Sequence, residues 1–268
     1  KVVASFSILG DVVDRVGGDK IEVRTLVGPD ADAHVFEPTP ADARALAEAD
    51  ILVINGLGFD TWASKLAKSS GSGAKIVTAS HGMTPRAGAA GSPDPHTWHD
   101  ADNVARYADT IGRALAAADE RHGAAYLAAA SRYREEIERL DEEIREAFAG
   151  VPRAQRRVIT THDAFGYLAG AYGIEFIAPL GISTDEQPSA KAVARLITQI
   201  KREKIRAVLV ENISDPRLIE QIARETGAKI GGKLYSDALS TKTGPAPTYV
   251  AMMRHNVKLL TAAMAPAF

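Results

Sequence analysis

The chain has 268 residues, 46% of them hydrophobic and 25% charged, with a formal net charge of -2 at pH 7. That length buries a substantial core and accommodates two domains. The near-neutral balance gives no argument for binding nucleic acid or anionic lipid, and no apolar run reaches the ~20 residues of a membrane helix. Cysteine is absent, which removes disulfides and thiolate metal sites and fits an oxidising compartment. The sequence starts at Lys1 and runs directly into an apolar segment, so a processed N-terminus is expected.

Strands and helices alternate along the chain. Residues 1–9 (KVVASFSIL) and 21–27 (IEVRTLV) read as strands around a helical DVVDRVGG. In TPADARALAEA, Thr39 is a plausible N-cap and Pro40 occupies the first helical position. Residues 49–56 (ADILVING) and 74–80 (AKIVTAS) read as buried strands around the helix FDTWASKLAKSS. The Gly56–Gly58 pair lacks the rest of a dinucleotide fingerprint and predicts a tight turn. Residues 81–95 form a Gly/Ala/Pro-rich loop without periodicity. A long helical region of alternating charge covers 101–148, with a break expected near His122–Gly123. Beyond Pro152, RRVITTH, IEFIAPL, RAVLVEN and KIGGKLYS read as strands. DAFGYLAGAYG, SAKAVARLITQIKREK, PRLIEQIARETG and TYVAMMRHNVKLLTAAM read as helices. The expected fold is α/β: two lobes with mostly parallel sheets, residues 1–100 and 151–268, joined by a long backbone helix within 101–150.

Ligands of such sheets bind beyond the carboxyl ends of the strands. His34, His96, His162 and Asp237 each fall in or just after a strand-following loop. Three imidazoles and a carboxylate suit zinc, which takes nitrogen and oxygen ligands in a tetrahedron. Two of the four come from each half, so the expected metal site lies in the cleft between lobes.

The motifs around these positions resemble the metal-binding receptors of bacterial zinc/manganese ABC transporters, the cluster A-I solute-binding proteins. DPHTW, THDAFGYLAGAYG, GPDADAHVFEPTPAD, NGLGFDTW and LYSDALS carry the likeness, which spans essentially the whole chain. The resemblance implies metal-binding roles for His34, His96, His162 and Asp237, two lobes with modest closure, and delivery of the ion to a membrane permease energised by a cytoplasmic ATPase. It places the chain in the periplasm, or outside the cell and membrane-anchored through a lipid carried on a removed segment, acting as a monomer. Manganese-preferring relatives tend to have a carboxylate at the third position. Here that position is His162, and imidazole favours zinc. Many zinc-type relatives also carry a His- and acid-rich loop before the second ligand. The short AGAAGS loop of this chain departs from that pattern and offers only His81 and Asp94.

Other readings attach to several of these residues. Asp237 could cap the following segment. His99, three residues after His96, is expected at the surface, with an additional metal role as the alternative. His81 could touch metal transiently, and His122 and His255 are expected to be exposed. Asp163 could cap its helix or orient an imidazole. Glu211 could line the cleft or satisfy local backbone groups. A manganese receptor or a surface adhesin is the alternative within the family. A zinc hydrolase would need Asp237 to leave the metal open to water, with Glu211 as base. No HExxH or G-x-S-x-G motif supports that reading.

Overall fold

The computed structural model describes residues 1–88, 91–185, 188–205 and 207–265. Ala89 and Ala90 of the AGAAGS loop, Arg206 at the start of one expected strand, and 266–268 lie outside the described residues.

The first sheet contains β1 (Val2–Phe6), β2 (Val23–Val27), β3 (Ile51–Ile54) and β4 (Lys75–Thr78), in the order β2-β1-β3-β4 and parallel throughout. The second repeats that order with β5 (Arg157–Ile159), β6 (Glu175–Ile177), β7 (Ala207–Glu211) and β8 (Lys229–Leu234), as β6-β5-β7-β8. Parallel sheets covered on both faces require continuous apolar strands. Every residue of VVASF in β1 and ILVI in β3 is buried.

Helix α1 (Ser7–Gly17) starts earlier than the sequence suggests, taking Ser7–Leu9 from the expected strand. Ile8, Leu9, Val12, Val13 and Val16 are all buried on it, so the apolar SIL triplet opens a helical stripe instead of ending a strand. Helix α2 (Pro40–Ala47) has the predicted start, with Thr39 and Asp42 forming a reciprocal capping box. Before α3 (Thr61–Ser69), Gly56 and Gly58 take φ values of 89° and 90° in a tight turn closed by the Phe59 N–H on the Gly56 carbonyl. The buried Asp60 carboxylate accepts from the Asn55 and Gly56 N–H groups and the Ser5 hydroxyl.

The helical link is a hairpin. Helix α4 (Ala101–Ala118) turns through Glu120–His122 into α5 (Gly123–Ala149). The 27 residues of α5 span about 40 Å. Its buried stripe, Tyr126, Ala130, Tyr133, Ile137, Leu140, Ile144 and Phe148, recurs every three or four residues, leaving the Arg/Glu-rich face to solvent. Gly112 of α4 allows close approach: a Cβ there would lie 2.7 Å from the Ala130 Cβ.

Helices α6 (Gly166–Tyr172), α7 (Ala190–Glu203) and α8 (Arg217–Thr226) belong to the second half. Helix α9 (Tyr249–Met264) returns to pack on α5 and α1. One apolar cluster runs unbroken from Phe6 and Val53 of the first sheet through Trp98 and Tyr249 to Val158, Leu209 and Leu234 of the second. Across that junction the Trp98 indole N–H donates to the Ser236 carbonyl at 2.9 Å, and the Tyr249 hydroxyl donates to the Trp98 carbonyl at 2.8 Å.

Gly112→Val is expected to cost roughly 1–3 kcal/mol, the usual penalty for overpacking a tight helix crossing. Urea denaturation of the two proteins checks this through a lower midpoint at unchanged slope.

Candidate metal centre

Four loops at the carboxyl ends of strands converge. His34 follows β2, His96 follows β4, His162 follows β5 and Asp237 follows β8. One potential ligand atom from each lies within 4.8 Å of all the others. The Nε2 atoms of His34 and His96 are 3.3 Å apart. Asp237 Oδ2 stands 3.1 Å from His34 Nε2 and 3.2 Å from His162 Nε2, and Oδ1 stands 3.7 Å from His96 Nε2. Four ligands at zinc–nitrogen and zinc–oxygen distances around a tetrahedron would be separated by about 3.3 Å. The sequence-predicted set is therefore assembled at a spacing that suits such an ion.

Two buried carboxylates determine which imidazole nitrogens face the centre. Asp94 Oδ1 lies 2.9 Å from His96 Nδ1 and accepts the His96 backbone N–H at 3.0 Å. Glu211 Oε1 accepts the N–H groups of Thr161 and His162 at 2.8 and 3.0 Å, while Oε2 contacts His162 Nδ1. An ionised carboxylate only accepts, so each Nδ1 carries a proton, and when the ring is neutral its Nε2 lone pair faces inward. Asp237, fully buried, adds a carboxylate to those lone pairs. Its separations from the rings would pass for ion pairs, yet the alignment fails: both Asp237 oxygens and His162 Nε2 have no hydrogen-bond partner. Such groups are costly inside a protein unless a cation gathers them.

The local field favours positive charge. Burial opposes charge on His162, but the Glu211 and Asp237 carboxylates outweigh it and hold its pKa well above the ordinary imidazole value. Burial likewise pushes Asp237 up, and His162 and His96 more than reverse it, leaving the carboxyl well below its usual range. A divalent ion answers the same field and displaces the proton.

Packing fixes the frame. Phe59 meets the His34 ring edge-on at 4.8 Å between centroids, and Trp98 meets His96 at 5.3 Å. Buried Asn256 accepts the Tyr235 N–H at 2.9 Å and donates to the Tyr235 carbonyl at 2.7 Å, bracing the strand end that leads to Asp237.

The remaining candidates fall elsewhere. Asp94 supports an imidazole from behind. Glu211 takes the orienting role considered for Asp163, and also satisfies backbone groups. Asp163 is exposed and does not cap, because α6 begins only at Gly166 after a turn in which the Ala164 N–H reaches the His162 carbonyl. His81 is exposed. His122, paired with Asp119, and His255, against the Lys233 carbonyl, are only partly exposed.

His99 corrects a sequence expectation. It is fully buried, 4.5 Å from the Phe165 ring between centroids, with neither ring nitrogen hydrogen-bonded. The short turn Thr97–His99 leaves all three of its side chains inside. Asp94 and Glu211 were the roles least visible in advance. For Asp94 the Asp-x-His spacing is the available signal, since an Asp carboxylate readily accepts the N–H two residues on.

The chain matches the family model described as "Zinc-uptake complex component A periplasmic" over residues 2–263. It is 34% identical over 262 residues to the iron-binding protein YfeA of Yersinia pestis, covering 96% of this chain and 84% of the relative. It is 30% identical over 259 residues to the manganese-binding lipoprotein MntA of Halalkalibacterium halodurans, covering 96% and 86%. The structure superposes on the periplasmic zinc-binding protein TroA of Treponema pallidum with a TM-score of 0.94 at 26% identity, covering 99% of both chains.

Two outcomes follow from this geometry. In Glu211→Gln the amide donates to His162 Nδ1, forces the proton onto Nε2 and blocks the inward lone pair. Metal affinity should fall about 10–100-fold, read by chelator competition, and an unchanged affinity would refute the tautomer assignment. Burial lowers the His99 pKa to about 3, below its unfolded value near 6.5. Folded His99 stays neutral, and its contribution to stability is full above about 6.5 and lost as pH falls toward about 3. His99→Leu should therefore gain stability over the parent as pH drops through that window, checked by denaturation at several pH values.

Proposed function

We propose that this chain, which belongs to the periplasmic zinc-uptake component A family of metal-binding ABC-transporter substrate-binding proteins, captures one zinc ion between its lobes and hands it to a membrane permease for import. The observation that carries this reading is the set of three inward Nε2 atoms and one buried carboxylate without a hydrogen bond, at tetrahedral spacing. His34, His96, His162 and Asp237 are the proposed ligands. The hydrated ion exchanges its waters for them, and binding favours closure because each lobe supplies part of the set. In this reading residues 1–100 and 151–268 form the lobes and 101–150 the link. The chain works as a monomer in the periplasm, or on a lipid anchor at the outer face of the membrane. The lipoprotein relative supports the anchored form, and among the described residues no helix is long and apolar enough to cross a membrane.

Zinc is preferred on donor chemistry. Imidazole at three positions suits zinc, whereas manganese and ferrous iron accept harder, oxygen-rich shells. Import of manganese or iron is the second reading, favoured by the names of the two sequence relatives. Hydrolysis is disfavoured: Asp237 would fill the fourth position, and Glu211 is committed to His162 and two backbone N–H groups and is not free to act as a base.

Isothermal titration should give one zinc per chain, with equimolar manganese failing to displace it; displacement would move the assignment to the second reading. His162→Ala should abolish tight binding while the metal-free fold persists. Affinity should decline as pH falls, because protons compete for the imidazoles, and the raised pKa of His162 places the onset above the ordinary imidazole range. A zinc-induced rise in melting temperature should shrink correspondingly near pH 5.

A further inference from the structure

The loop 28–39 leaves the first sheet, yet it is fastened to the opposite lobe. The Asp30 N–H donates to the Leu239 carbonyl at 2.9 Å, and Asn212 Nδ2 donates to Asp30 Oδ1 at 3.1 Å. Asp30 holds a φ of 54°, a left-handed conformation that a non-glycine residue keeps when its surroundings over-determine it. Two residues on, the Thr184 hydroxyl donates to Asp32 Oδ2 at 2.6 Å across 152 positions of sequence. The other oxygen, Asp32 Oδ1, accepts the His34 backbone N–H at 2.8 Å. One carboxylate therefore links the backbone of a proposed ligand directly to the facing lobe.

His34 is also the least anchored of the four. Asp94 and Glu211 fix the rings of His96 and His162 from behind. Among the described residues no hydrogen bond holds the Nδ1 of His34, and it alone of the four is not fully enclosed. Elsewhere the lobes share one continuous apolar core, so the cheapest opening is this loop. Beside it lies a cavity of about 510 Å³ lined by Asp32, Thr161, Leu180, Thr184, Ile213 and Ser214. Both partners of the Asp32–Thr184 bond line that cavity.

We propose that the Asp32–Thr184 hydrogen bond is the latch of the metal cage. It holds His34 against the other three ligands, and breaking it releases the His34 end of the loop, while Asp30 stays tied to Leu239 and Asn212, so that the ion leaves through the adjoining cavity. Asp32 and Thr184 are positioning residues that set residence time without touching the ion. This inference rests on the metal-receptor reading above.

The test is stopped-flow release of zinc from the full chain into excess chelator. Thr184→Val removes the cross-lobe bond while leaving Asp32 on the His34 N–H. Release should accelerate about tenfold, the scale of one hydrogen bond to a charged group. The melting temperature of the metal-free protein should be unchanged, and Thr184→Ser should restore the parental rate. An unchanged rate in Thr184→Val overturns the latch. So does acceleration that Thr184→Ser fails to restore, or that tracks a loss of metal-free stability, because packing would then be the cause. If the parent protein binds no zinc at all, the receptor reading itself fails.

Discussion

Asp237 lies fully buried where the two halves of the chain meet, and neither of its oxygens has a hydrogen bond. Removing a carboxylate from water costs several kcal/mol after relaxation, and the protein does not offset this with donors from its own backbone. Asp60 shows the contrast: equally buried, its carboxyl accepts two backbone N–H groups and a hydroxyl. The Asp237 carboxylate instead faces three imidazoles. The surrounding architecture, from the Trp98–Ser236 contact to the bracing of Tyr235 by Asn256, keeps that unsatisfied arrangement from collapsing.

The chemistry of the centre is set one layer further out. Asp94 and Glu211 never face the middle of the cage, yet by accepting from Nδ1 they decide that the lone pairs of His96 and His162 do. Asp32 has the same Asp-x-His spacing as Asp94 and also accepts its histidine's backbone N–H, but where Asp94 Oδ1 takes the ring Nδ1 as well, Asp32 makes no bond to the ring and its second oxygen goes to Thr184. One local motif thus yields two outcomes, a fixed ring at His96 and a loop tied to the facing lobe at His34.

Much of this was legible in the sequence because the signals were redundant. Continuous apolar strands alternating with amphipathic helices specify parallel sheets, and the motifs around His34, His96, His162 and Asp237 placed all four at strand ends. The misreadings have local causes. Ser7–Leu9 reads as strand because a short apolar run does not reveal its period. His99 looked external because a polar residue beside a ligand gives no hint that Phe165, 66 positions later, covers it. Glu211 was ambiguous for the same reason: its partner His162 is 49 positions away, and only the pairing of β5 with β7 brings the two together.

X-ray absorption spectroscopy of the zinc-loaded protein tests the central claim most directly. The account predicts a four-coordinate shell of three imidazole nitrogens and one carboxylate oxygen at about 2.0–2.2 Å, with one imidazole lost in His96→Ala. A six-coordinate, oxygen-rich shell, or a spectrum unchanged in that variant, would contradict it.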